Sequence, residues 1–141
     1  MITIPEQKNR RRLIAKLLRY VLLFTGFAVG VNHLGIGLEG VFVAKAHEPL
    51  SAWIFLFTGP FLTLPATILA FFLPRAGAIL LICGAFISHA SFMDALGQKG
   101  GLEKSMWYLT RISAPMLALG FGALVVLMLD RQSLTVGNKR E

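Results

Sequence analysis

Four stretches of the chain, at about residues 20–40, 52–73, 76–96 and 109–129, each run for some twenty residues with at most one charged side chain. A hydrocarbon core of ~30 Å is crossed by about 20 helical residues at a rise of 1.5 Å each. Backbone N–H and C=O groups find no water inside a bilayer, so each crossing segment must close its hydrogen bonds within itself as a helix. The expected fold class is therefore all-α. It is an integral membrane four-helix bundle, up-down-up-down, filling residues 1–141 as a single transmembrane domain. An apolar content of 55% supports this, as does a mean hydropathy of +0.68.

The net charge of +7 bears on partners. Six of the fourteen basic residues, Lys8, Arg10, Arg11, Arg12, Lys16 and Arg19, precede the first apolar run. That placement fits a cytoplasmic flank on anionic headgroups, so the partner is the lipid bilayer and not nucleic acid. With the N-terminus inside, Arg75, Arg131, Lys139 and Arg140 join these six, against Lys45, Lys99, Lys104 and Arg111 outside. Both termini are expected in the cytoplasm, and a bacterial inner membrane is the expected location. Trp53, Trp107 and Tyr108 mark the outer interface as an aromatic belt. The competing reading of Ala44-Lys45-Ala46 as a signal-peptidase site meets an apolar run longer than a signal peptide's. Cys83, the single cysteine, has no internal disulfide partner and lies in an apolar run. There is no internal repeat.

The second span, FTGPFLTLPATILAFFLP, contains Pro60 and Pro65. Each removes a backbone hydrogen bond, which predicts a kink, with Thr58, Thr63 and Thr67 available to the freed carbonyls. Pro74-Arg75 is a tight link to the third span.

Polar residues sort by depth. His33 and His89 each lie thirteen residues beyond Tyr20 and Ala76, the inner ends of their helices, and so share a level ~20 Å up. Gly26, Gly30 and Gly37 flank His33 on one face, leaving room for another helix or a flat ligand. His89 shares a face with Ala78, Ile82 and Ala85. The first and third helices of such a bundle are diagonal partners, so His33 and His89 are candidate ligands of a haem b or a quinone headgroup. The alternative is that each simply hydrogen-bonds across a helix interface. No His, Cys and carboxylate cluster has metal-ligand spacing, so no metal is expected. Glu39, Asp94 and Arg111 fall at ~27–29 Å by the same rise and form a candidate polar cap, with Arg111 clamped between two carboxylates. His47, beside Glu48, belongs to the outer loop. Ser113, Ala114, Ala118, Gly120 and Gly122 favour close packing of the fourth helix.

From the second helix onward, about 85 residues, the layout resembles the DoxX-like family of small four-helix membrane proteins. The features are an apolar second span, the turn LPRAGA, a third span ending in ISHASFMD, and a fourth that begins SMWYLTR and ends LDR. The first helix departs from the family's pattern: GVNHLGIGLEG stands where a glycine followed by a lysine and a proline is expected. The resemblance implies an accessory membrane component of a redox or quinone-linked system and emphasises His89 and Asp94. Three functions stay open: an accessory or cofactor-holding redox subunit, a structural or assembly protein docking other membrane subunits through its glycine face, and a small proton-coupled transporter acting as a homo-oligomer. No hydrolase or phosphoryl-transfer motif is present.

Overall fold

A computed structural model describes residues 4–43, 49–97 and 101–135. Lys45, His47, Lys99, Lys139, Arg140 and the Ala44–Ala46 motif lie outside the described residues. All described elements are helical: α1 Ile4–Val43, α2 Leu50–Thr58, α3 Pro60–Phe72, α4 Pro74–Leu96, α5 Leu102–Tyr108, a π-helical turn Leu109–Ser113, and α6 Ala114–Thr135. They compose four segments long and apolar enough to cross a membrane, Asn9–Phe42, Leu50–Phe72, Pro74–Leu96 and Leu102–Arg131. The first helix begins well before its apolar run, so its basic flank continues the same helix.

The distribution of side chains is that of a protein dissolved in lipid. His33 is 1% exposed, whereas Phe24 on the same helix is 72% exposed and Phe42 87%. Small and polar residues join a few large ones in the interior, while many large apolar side chains face outward, because lipid does not drive them inward.

Glycines set the approach of α1 to α3. Gly26 lies against Thr67, Gly30 against Leu64, Gly37 against Pro60 and Phe61, and farther along Gly40 against Leu56 of α2, so the two spans run in opposite directions. The glycine face expected to receive another helix or a flat ligand is thus filled by the chain's own second span. α1 also packs on α6, and α4 packs on α2, α3 and α6. First and third spans consequently sit across the bundle from each other. Leu81, Ala85, Tyr108, Ile112, Met116 and Leu119 form the apolar core between them.

The expected kink is present as a break at Gly59, whose φ of −104° and ψ of −91° separate α2 from α3. Pro65 is accommodated inside α3. The threonines do not serve the freed carbonyls as expected. Prolines 60 and 65 deprive the carbonyls four residues earlier, those of Leu56 and Phe61. Thr58, Thr63 and Thr67 instead donate to Ile54, Gly59 and Thr63, at 2.7, 2.8 and 2.8 Å. A hydroxyl reaches the carbonyl one turn before its own residue, and the prolines stand out of that register.

Leu73 alone joins α3 to α4, with Pro74 in the first turn of the new helix. α4 ends at Gly97, which has φ +53° and ψ −149°. Only glycine adopts that backbone without strain, so Gly97→Ala is expected to lower stability by about 1–2 kcal/mol in a thermal or denaturant melt.

Candidate functional site

His33 is carried on the glycine face of α1 into the centre of the bundle. Its Nδ1 lies 2.8 Å from the Thr63 hydroxyl of α3, and its Nε2 lies 2.8 Å from the main-chain carbonyl of Arg111. That carbonyl is available for a reason legible in the sequence. In an α-helix it would receive the N–H of residue 115, and residue 115 is proline. The chain answers with a π turn over Leu109–Ser113, and His33 supplies a donor to the deprived oxygen. Arg111 therefore does reach the site, through its backbone and not its guanidinium. Pro115→Ala restores the competing N–H. It is expected to cost about 0.5–1.5 kcal/mol of coupling with His33, measured by a double-mutant cycle with His33→Leu.

The hydrogens at this centre are over-subscribed. A carbonyl only accepts, so Nε2 carries a hydrogen and donates it to Arg111. Thr63 has one hydroxyl hydrogen and two acceptors in reach, Nδ1 of His33 and the Gly59 carbonyl, each at 2.8 Å. With the hydroxyl turned to Nδ1 the imidazole is neutral. With it turned to Gly59, Nδ1 keeps its hydrogen bond to Thr63 only by donating, which makes the ring an imidazolium. The hydrogen-bonding of His33 Nδ1 is thus linked through the Thr63 hydroxyl to the carbonyl at the α2–α3 break.

The other expected ligand, His89, belongs to a different cluster. Its ring lies 6.2 Å from that of Tyr108, which stacks on Phe92 at 4.1 Å and meets Phe55 edge-on. Tyr108 and Ser88 hydroxyls hydrogen-bond to each other, and Ser88 donates to the Phe55 carbonyl at 3.0 Å. Gly59 fits between them, since a Cβ there would stand 2.5 Å from the Tyr108 oxygen. Tyr108 is a core member, 1% exposed, and not only part of an interfacial belt. Tyr108→Phe should cost about 1–2 kcal/mol in an unfolding titration, because it strips Ser88 of a buried partner. Nδ1 of His89 and Oγ of Ser113 are buried without a hydrogen-bond partner among the described residues.

No hydrogen bond or ring contact joins His33 to His89 among the described residues. Iron ligation needs a free lone pair on a ring nitrogen. Both nitrogens of His33 are held by protein groups, so the arrangement does not fit His33 as a haem ligand. Among the described residues no three His, Cys, Asp or Glu side chains group as a metal site.

The expected cap also resolves differently. Glu39, Asp94 and the Arg111 side chain are exposed, and none of the three forms an ion pair with another among the described residues. Equal depth fixes only one of the three coordinates that a salt bridge needs. The ion pair that does form joins Arg19 of α1 to Asp130 of α6, at the opposite end of the bundle. No family model, curated protein or solved structure matches the chain.

Proposed function

We propose that the chain is a four-span protein of a bacterial inner membrane, up-down-up-down with both termini in the cytoplasm, and that it works as a small proton-coupled carrier. His33 is the group that takes up and releases the proton. The observation that carries this reading is the single Thr63 hydrogen shared between His33 Nδ1 and the Gly59 carbonyl, which lets a proton on His33 redirect the hydroxyl. Ionisable residues inside a membrane segment are costly and usually functional. A single four-span protomer offers little room for a substrate path, so the carrier acts as a homo-oligomer.

Protonation at Nδ1 sends the Thr63 hydroxyl to the Gly59 carbonyl and adds a hydrogen bond where the second span is broken. Loss of the proton returns it. The hinge and the charge therefore change together, the requirement for coupling proton uptake to a conformational step.

Two measurements test this. Histidine 15N signals of the reconstituted protein should show His33 titrating reversibly. Proteoliposomes should dissipate an imposed proton gradient faster with the native chain than with His33→Leu. A His33 that never titrates, with flux equal in both, would remove the reading.

A second reading keeps the redox assignment at a different place. The unpartnered Nδ1 of His89, beside the stacked rings of Phe92 and Tyr108, offers a hydrogen-bonding edge and an aromatic face of the kind a quinone headgroup uses. Quenching of tryptophan fluorescence by a short-chain quinone, lost in His89→Ala, would favour it over the carrier.

A further inference from the structure

We propose that a cavity between the His33 centre and the Arg19–Asp130 ion pair is a water site, and that this water makes the Asp130 end of the bundle the side from which His33 exchanges protons. The proposal rests on the reading of His33 as the proton-carrying group.

The cavity measures about 10 Å³ and is walled by all four spans, among them Arg19 and Leu22 of α1, Thr67 of α3, Leu81 of α4 and Ala123 and Val126 of α6. That is room for one water. Two polar groups stand on an otherwise apolar wall. Thr67, 4% exposed, gives its hydroxyl hydrogen to the Thr63 carbonyl and keeps lone pairs free. The Arg19 guanidinium brings surplus N–H donors. A water that accepts from Arg19 and donates to Thr67 has the two partners a buried water needs.

The site also lies on a line. Thr67 and Thr63 stand one turn apart on the face of α3 that meets α1, where Thr67 touches Gly26 and Thr63 touches His33. One turn is ~5.4 Å, and the Thr67 hydroxyl crosses it to the Thr63 carbonyl at 2.8 Å. Glycine contacts are tight on both sides of His33, with Gly26 on Thr67 and Gly30 on Leu64 toward Asp130, and what sets the Asp130 side apart is the cavity. Beyond His33 the interface is filled by Pro60 and Phe61 against Gly37 and by Leu56 against Gly40, where an added Cβ would stand 3.0, 3.2 and 2.7 Å from them.

Few other titratable groups compete. α2 and α3 have none. α4 brings His89, Cys83, Asp94 and Arg75, and the fourth span brings Glu103, Lys104, Tyr108, the exposed Arg111 side chain, Asp130 and Arg131. α1 itself brings Glu6, its basic flank, Tyr20, which meets Phe71 of the cavity wall, and Glu39. Of these, only Arg19 borders the cavity, and Asp130 is paired to it.

The test uses the full chain reconstituted in one orientation, with the 15N signal of His33 identified by its loss in His33→Gln. Acid applied at the Asp130 face should protonate His33 about tenfold faster than acid at the other face, because the cavity lies on that side. Thr67→Val keeps the methyl against Gly26 and removes only the hydroxyl, and Ala123→Val fills the cavity from α6. Each should erase the asymmetry while leaving the end point of the titration in place. An experimental structure should show water at Thr67 in the native chain and none in Thr67→Val. Equal rates from both faces, or an unaltered asymmetry in Thr67→Val, overturn the water route and leave His33 as the proton group. A His33 that does not titrate at all overturns both.

Discussion

Replacing His33 by leucine is expected to lower the unfolding free energy of the purified chain by about 2–4 kcal/mol and to abolish proton-coupled flux. The stability loss follows from the partners left behind. Thr63 can still donate to Gly59, but the Arg111 carbonyl loses the donor that replaced the missing N–H of Pro115. A buried acceptor without a partner costs about 1–3 kcal/mol, and the leucine must also fit between glycines shaped around a flat ring. Glutamine is the informative companion. Its amide can donate to Arg111 and accept from Thr63, so His33→Gln should stay within about 1–1.5 kcal/mol of the native chain. An amide does not titrate, so glutamine should be as inactive in flux as leucine. Denaturant titration in detergent reads the first quantity and a pH-sensitive dye inside proteoliposomes the second. A leucine variant as stable as the native chain would show that the ring's two hydrogen bonds contribute nothing net. An active glutamine variant would show that the proton is carried elsewhere.

Much of this centre was visible in the letters of the sequence. The spacing of Gly26, Gly30, His33 and Gly37 puts the histidine on the face that backbones can approach, and that is where it lies. The four spans follow from length and hydropathy alone, because lipid imposes a period that local sequence cannot evade. What depth could not supply was azimuth. His33 and His89 match in height, as do Glu39, Asp94 and Arg111, yet rotation about each helix axis sends them to different neighbours. The glycine face was read as open because a sequence shows the groove and not its occupant, here Leu64, Pro60 and Phe61. One partner left a signal that reasoning from side chains passes over. Pro115 marks the Arg111 carbonyl as needing a donor, four residues upstream and on the span that faces α1. A search for deprived carbonyls would have set Arg111 beside Leu56 and Phe61 as candidate acceptors for His33.

Glycine also carries the second large effect, since the same substitution at two glycines should have opposite signs. Gly77→Ala is expected to destabilise the chain by about 2–4 kcal/mol or to prevent its folding. A methyl at residue 77 would fall within the contact distance of the N, Cα and Cβ atoms of Ala70, and two of those three are backbone. Backbone cannot turn aside as the tip of a side chain can. Nor can the helices slide apart, because α3 and α4 are joined through Leu73 alone, whose N–H and carbonyl are already bonded to Leu69 at 2.7 Å and Gly77 at 3.0 Å. Gly35 is the control: a methyl there meets nothing within 4 Å, and the position is exposed. Gly35→Ala should stabilise α1 by about 0.5–1 kcal/mol, the helix propensity that glycine forgoes. Parallel unfolding titrations of the two variants in one detergent decide the matter. If Gly77→Ala were as stable as Gly35→Ala, the close passage of the second and third spans would be wrong, and with it the register that places Gly59 against Ser88 and Tyr108.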